Sequence, residues 1–333
     1  MKFSLIICTY IRPQSVLQLL QSVEVQTLYP DEILIIDGST NQETESILEQ
    51  NQFQNLQYFS VPAEHRGLTK QRNYGVKKAG NAIDVIAFLD DDTILEKNYF
   101  KELIQTFVDN QAISGVAGVA LNENAWSLAE PNKKYDSYRY YQWEGYVYKE
   151  GQRNVVRNYL GLQSHLGPGR MPDYSHGKTC GFPLNGKTYE VDLLIGMSFA
   201  FRKKVLDAIS FSSYFEGYGL YEDADFSIRA LQFGKNAINT KAQLSHFHHP
   251  SGRPNQYQYG KMVVRNGWYV WRVKNPRPSF KAQLKWHLIT ILLTVIRFSN
   301  ALTSSKKKEA FTEAMGRTIG WWSLFCNKPK INS

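Results

Sequence analysis

The chain has 333 residues, 43% of them hydrophobic and 21% charged, with a formal net charge of +9. That composition excludes disorder and fibrous structure, and the length suits one large domain or two modest ones. The charge is uneven. Residues 241–333 hold 16 Lys/Arg and 2 Asp/Glu, a net +14, which leaves −5 on the first 240 residues; a basic tail of this kind points to an anionic partner.

Phe3–Cys8 reads as a buried strand, and Pro13 opens a helix with Val16, Leu19, Leu20 and Val23 at helical spacing. Ile33–Ile36 is a second strand, ending at Asp37-Gly38-Ser39-Thr40, with a helix near Glu43–Glu49. Leu56–Val61 is a third strand, and Thr69–Ala79 a helix ended by Gly80-Asn81. Val85–Leu89 is a fourth strand running into Asp90-Asp91-Asp92, then a helix over Asn98–Val108 and a strand over Gly115–Ala120. This alternation predicts an α/β fold with a parallel, doubly wound sheet, whose ligands sit beyond the strands' carboxyl ends. No G-x-G-x-x-G follows the first strand, so a dinucleotide site lacks its main support.

Residues 122–186, rich in Tyr, Gly, Asn and Pro, read as long loops. Regularity returns at Val191–Phe201. Glu222–Phe233 is a helix with Ala224, Ile228 and Leu231 on one face, and Ala237–Phe247 is strand-like, ending in His246-Phe247-His248-His249-Pro250. The basic tail holds a helix over Lys261–Val273, the run Leu288–Ile296 and a segment ending at Trp321-Trp322-Ser323-Leu324-Phe325. That run is shorter than the ~20 apolar residues of a spanning helix and reads as interfacial. The three cysteines, Cys8, Cys180 and Cys326, form no C-x-x-C and suggest neither a disulfide framework nor a cysteine zinc site; a reducing compartment is expected. The opening MKFSLIICTYIRP turns polar too soon for a secretory leader.

Four features carry chemistry. Three adjacent carboxylates at a strand end repel one another unless a hard divalent cation relieves them, although Asp there also suits a helix cap. Glu222-Asp223 opens a helix, where carboxylates favour the dipole, and a carboxylate in a cleft can instead take a proton from a hydroxyl. The cluster His246, His248 and His249 is either a chelator or surface. The run from His65 to Asn73 places basic residues at a helix start, as an anion site or a solvated face.

Together these pieces resemble an inverting family 2 glycosyltransferase of bacterial cell-surface polysaccharide type, over residues 3 to about 252. SLIICTYIRP resembles the family's first strand and nucleotide-pocket entry, through Thr9, Tyr10 and Arg12. DEILIIDGST resembles its second strand, with Asp37 on the nucleoside. GLTKQRNYGV carries Arg72 and Asn73 at the characteristic places. FLDDDTIL resembles the D-x-D region, which puts Asp90 on the ribose side, Asp92 on the metal and Asp91 between them as a further nucleotide contact. VDLLIGMSFAFRKKVL followed by YGLYEDADFSIRALQFG resembles the acceptor segment and E-D motif, with Gly196 and Tyr221 on the acceptor side, Asp223 as base and Glu222 beside it. His246 matches a further metal or diphosphate contact. Ile11 departs from the frequent Asn, the second strand ends in one Asp rather than two, and no Q-x-x-R-W follows, which disfavours processive synthesis.

The resemblance implies a GT-A fold: a Rossmann-like mixed sheet flanked by helices, with a C-terminal helical extension. It implies a catalytic domain over 1–255, with a nucleotide-sugar half to about 120 and an acceptor half beyond, and an extension over 256–333. The implied activity is Mg²⁺- or Mn²⁺-dependent, non-processive transfer of a hexose or deoxyhexose from a nucleotide-diphosphate sugar to a saccharide or lipid-linked hydroxyl. Tyr138, Tyr140, Tyr141 and Trp143 either stack on sugars or pack. The tail, over 279–325, is expected to dock peripherally on anionic membrane at the cytoplasmic face, the alternatives being that it packs on the catalytic domain or on another subunit, and nucleic acid is not expected as a partner. The alternatives are a phosphatase of the haloacid-dehalogenase type and an inactive sugar- or membrane-binding module; against the first, the D-x-D follows the fourth strand, not the first.

Overall fold

A computed structural model describes residues 1–178, 180–248 and 254–331. The chain runs β1 (Phe3–Thr9), α1 (Pro13–Glu24), β2 (Glu32–Asp37), α2 (Glu43–Glu49), β3 (Leu56–Ser60), α3 (Leu68–Lys78), β4 (Val85–Asp90), β5 (Thr93–Leu95), α4 (Tyr99–Asp109) and β6 (Ile113–Ala120). It continues through β7 (Trp126–Leu128), β8 (Tyr140–Trp143), β9 (Tyr146–Lys149), α5 (Gln152–Tyr159), β10 (Thr188–Val191), β11 (Ser198–Arg202), α6 (Lys203–Ala208), α7 (Glu222–Ala230) and β12 (Lys235–His246). Three long helices close it: α8 (Gln256–Lys274), α9 (Phe280–Thr303) and α10 (Lys307–Cys326).

The residues divide into two compact units, Met1–Asn124 with Gly181–Gly252, and Ala125–Cys180 with Arg253–Ser333. Residues 125–180 therefore group with the C-terminal helices, whereas the 1–255 and 256–333 reading kept them in the first domain.

Unit 1 is built on a nine-stranded sheet in the order β10-β12-β6-β11-β4-β1-β2-β3, with β5 paired to β12. The expected parallel sheet holds from β3 to β4, where each pair runs parallel. It fails at β11, which runs antiparallel to both β4 and β6 and makes the sheet mixed. The central strands are apolar on both faces, as strands covered by helices must be. Leu5, Ile6, Ile7, Ile33, Ile35 and Val85 are fully buried. Val16, Leu19, Leu20 and Val23 of α1, and Phe100, Leu103 and Phe107 of α4, complete this core. β12 shifts register against β6 between Ile238 and Gln243, an irregularity in the ladder. Beyond it Leu244–His246 pair with β5, so that His246 lies opposite Thr93.

Unit 2 corrects the loop reading of 122–186. Its segment there carries a three-stranded antiparallel sheet, β7-β9-β8, and α5. The strands are only three or four residues long, too short for a visible alternation. Tyr138 stacks on Tyr159, Tyr140 meets Tyr135, and Tyr141 and Trp143 both meet Trp126, so all four flagged aromatics pack on other rings. α8 and α10 lie backbone to backbone. A Cβ on Gly316 would stand 2.0 Å from the Tyr257 carbonyl oxygen, and one on Gly260 would stand 2.1 Å from that of Glu313. The Trp271 indole donates to the Asp173 carbonyl at 2.7 Å and stacks on Trp286.

Candidate active site

The sheet register collects the candidate residues at one edge of unit 1. Thr9 is level with Asp37, and Cys8 with Asp90. The chain leaves β4 at Asp90, turns through Asp91 and Asp92 and returns as β5. The β5–β12 pairing then sets His246 against that turn, with its Nε2 3.2 Å from Asp92 Oδ1. Oxygens of Asp90 and Asp92 and a ring nitrogen of His246 lie within 4.8 Å of one another, so Asp90, which the resemblance put on the ribose side, stands among the possible metal donors instead. Two carboxylates and one imidazole form a donor set that suits Mg²⁺ or Mn²⁺, with positions left for phosphate oxygens. Burial pushes the Asp90 carboxyl up to about 6, with the Asp92 charge adding to the effect and Arg72 opposing it. Burial works against a charged His246, but its hydrogen bond to Asp92 and the surrounding carboxylates raise it on balance. Both shifts are those of a site short of positive charge.

Asp91 does not join this set. Its Oδ2 accepts the Thr9 hydroxyl at 2.7 Å and its Oδ1 accepts Arg12 Nη1 at 2.8 Å. It is 3% exposed and ties the turn back to β1, whereas the resemblance made it a nucleotide contact. Arg12 Nη1 also stands 3.8 Å from Asp92.

Arg72 projects from α3 as the buried hub of the site. It is 2% exposed, with the rings of Phe199, Phe211 and Phe88 4.7, 5.4 and 5.8 Å from its guanidinium carbon. It pairs with Glu222 through Nη1, and Nη2 reaches the Gly196 carbonyl at 3.0 Å and Asp90 at 3.4 Å. Glu222 is buried, its Oε2 has no hydrogen-bond partner among the described residues, and burial raises its carboxyl against the pull of Arg72.

Asp223 sits next door at the start of α7, partly exposed. Its Oδ2 accepts the Gly196 amide at 3.0 Å and its Oδ1 accepts the Ala224 amide at 2.8 Å. Gly196 thus joins Arg72 to Asp223, and a Cβ there would stand 3.0 Å from both Asp223 Cβ and Glu222 Oε1. Tyr221 caps α7 in the left-handed region, at φ +71°.

Two further candidates make hydrogen bonds within the fold. Asn73 is spent on the fold: its amide nitrogen donates to the Phe211 carbonyl and its oxygen accepts the Phe211 amide, both at 2.9 Å. Asp37 reaches the expected strand end, but it is buried and accepts from the Ser39 amide at 2.7 Å and the Tyr58 hydroxyl at 2.9 Å. Tyr10 is exposed. In the basic run, Lys70 pairs with Glu216, His65 meets Tyr74, and Arg72 reaches Asp90 and Glu222. His248 touches Glu123 and the His246 ring, while His249 lies outside the described residues. Glu123 itself went unflagged in the sequence; its one signal is its place three residues after β6.

The family model "Glycosyl transferase family 2" matches residues 4–172. The chain is 33% identical over 119 residues to the O-antigen chain rhamnosyltransferase RfbN of Salmonella typhimurium, covering 35% of this chain and 37% of that one. It is 27% identical over 135 residues to a glucosyl-dolichyl phosphate glucuronosyltransferase of Haloferax volcanii, covering 39% and 41%. The chain thus spans less than half the length of these curated relatives. Among solved structures it is similar in fold to the mannosyltransferase PcManGT from Pyrobaculum calidifontis, solved in complex with GDP-Man and Mn²⁺. The TM-score is 0.52 at 12% identity, over 99% of this chain and 76% of that one. Motifs, mixed sheet and family model agree, and the chain belongs to glycosyl transferase family 2.

Proposed function

We propose that this protein transfers a hexose or deoxyhexose from a nucleotide-diphosphate sugar to a saccharide or lipid-linked hydroxyl, with inversion and without processivity. The observation that carries it is one edge of one sheet, where the Asp90–Asp92–His246 donor set is linked through Arg72 to the carboxylates of α7. A divalent cation there supplies positive charge against the departing nucleoside diphosphate. Asp90, Asp92 and His246 hold it. Arg72, fixed by Glu222 and Gly196, keeps a second positive charge beside Asp90. Asp223 takes the proton of the acceptor hydroxyl as that oxygen attacks the anomeric carbon from the face opposite the diphosphate, and the Gly196 amide holds the carboxylate in place. Membership of the family removes the haloacid-dehalogenase-type phosphatase from consideration.

The reading extends to the C-terminal helices as a peripheral contact with anionic membrane at the cytoplasmic face. α9 is long and apolar enough to cross a membrane by length and composition, 24 residues where the apolar run alone is shorter. We favour an interfacial position because α9 engages α10 through polar groups: Arg297 pairs with Glu313 at 2.7 Å, and the Trp321 indole donates to His287 at 3.0 Å. Leu284, Leu288, Ile291, Val295 and Leu302 form an exposed stripe on α9, and Phe311, Met315, Ile319, Trp322 and Phe325 form another on α10. Exposed Lys306, Lys307 and Lys308, at the start of α10, supply attraction to anionic headgroups.

The test is a donor screen. UDP-, GDP- and dTDP-sugars are incubated with the full chain, Mn²⁺ and a lipid-linked saccharide acceptor. Nucleoside diphosphate release from one donor class, abolished by chelator, is expected. Donor binding with no release from any class would favour the inactive binding module instead.

A further inference from the structure

The Asp90–Asp92–His246 set contains one ligand whose direction is not set by its own strand. His246 is the last residue of β12, and the chain leaving β6 holds both its backbone and the side of its ring turned away from Asp92. Asn122 clamps the His246 backbone on both sides. Its Nδ2 donates to the His246 carbonyl at 2.6 Å, and its Oδ1 accepts the His246 amide at 3.0 Å. The next residue holds the ring: His246 Nδ1 donates to Glu123 Oε1 at 2.9 Å, while Nε2 faces Asp92. The same Glu123 oxygen accepts His248 Nε2 at 2.7 Å. An imidazole whose Nδ1 proton is engaged by a carboxylate presents its Nε2 lone pair to a cation, in a fixed orientation and with raised basicity.

We propose that Asn122 and Glu123 are positioning residues that aim His246 Nε2 at the divalent cation of the Asp90–Asp92 site, with Glu123 selecting the tautomer. The proposal rests on the metal reading given above. It differs from direct ligation, which the proximity of Glu123, His246 and His248 also allows by distance. A positioning residue acts only through the ligand it positions, so its effect vanishes when that ligand is removed.

The experiment titrates the full-length chain with Mn²⁺ alone and reads free Mn²⁺ by electron paramagnetic resonance. Five forms are compared: native, Glu123→Ala, Glu123→Gln, His246→Ala and the double variant His246→Ala/Glu123→Ala. Loss of a carboxylate behind a metal-bound histidine costs about 10–100-fold in affinity. Glu123 is exposed, so the lower end, about tenfold, is expected for Glu123→Ala. Glu123→Gln keeps an acceptor oxygen and should recover most of that loss. In the His246→Ala background, Glu123→Ala should change nothing further. A Glu123→Ala affinity within twofold of native would overturn the proposal, and so would an equal loss in the His246→Ala background, which marks Glu123 as an independent ligand. Native affinity in His246→Ala would instead overturn the metal reading beneath it.

Discussion

In unit 1 the charged groups that organise the site lie inside: Arg72 is 2% exposed, Glu222 4% and Asp91 3%, and each has a named partner. In unit 2 large apolar groups lie outside. Phe280 is 81% exposed, Leu302 80%, Trp322 59% and Val295 57%, while Glu313 is buried between Arg297 and Arg317. Burying a charge is unfavourable unless its partners are fixed, and leaving an apolar stripe in water is unfavourable unless something covers it. Unit 1 thereby holds side chains in one geometry, as chemistry needs. Unit 2 keeps a surface suited to an interface. The net charge divides along similar lines, with the surplus of cations confined to residues 241–333.

Breaking the buried hub should have the largest effect on stability. Arg72→Met leaves Glu222 buried without its cation and should destabilise unit 1 by about 3–5 kcal/mol in denaturant unfolding. Adding Glu222→Gln should restore much of that loss, because the second charge is then gone as well. If Arg72→Met cost no more than a surface substitution, the pair would not be the buried hub described.

A pH effect probes unit 2. His176 donates from Nε2 to the Gly267 carbonyl at 3.0 Å, and burial lowers it to about 4. The unfolded chain takes up this proton near 6.5, the native chain only near 4, so the unfolded state binds more protons between those values. The contribution is full above about pH 6.5 and is lost as pH falls toward 4. Its size is roughly 2–3 kcal/mol. In His176→Gln, which keeps a donor for Gly267, the fall in stability between pH 7 and 4 should shrink by that amount. An unchanged pH profile would show that the histidine is not held neutral.

Next come the exposed stripes. Leu288→Ser with Val295→Ser should leave the melting temperature within a degree or two, since both side chains face water. The same pair should weaken binding to vesicles containing anionic lipid by roughly 10–100-fold, from about 1–3 kcal/mol of lost apolar contact. Unchanged flotation would remove the membrane from the account of unit 2.

The smallest effect falls on a departure in the motif. Ile11 has φ +54°, a conformation that disfavours β-branched residues and that Asn tolerates. Ile11→Asn should stabilise unit 1 by about 1 kcal/mol in the same unfolding assay. A loss of stability there would mean that the exposed Ile11 side chain matters more than its backbone.

The strands and helices of the first 120 residues were legible because each is a continuous apolar run or a helical stripe closed by turn residues. Strand direction was not. Ser198–Arg202 has the same buried character whether parallel or antiparallel, and only long-range pairing sets it. Residue type alone also gave adjacent residues of a motif no separate directions. Asp90, Asp91 and Asp92 look alike in sequence, yet alternation along the turn sends Asp91 back to Thr9 and Arg12 while its neighbours face His246. Arg72 and Asn73 are consecutive on α3 and therefore point to different sides, one to the carboxylates and one to Phe211. Glu123 carried no signal beyond its place just after β6, since what brings it to His246 is the parallel pairing of β6 with β12.

The central claim is that Asp223 acts as the base beside a cation site built on Asp90, Asp92 and His246. The most direct measurement is single-turnover transfer by Asp223→Asn, with nucleotide affinity measured in parallel in the presence of Mn²⁺. The account predicts transfer slower by about 10²–10⁴-fold with nucleotide affinity within a few-fold of native. Native transfer rates in that variant would contradict it.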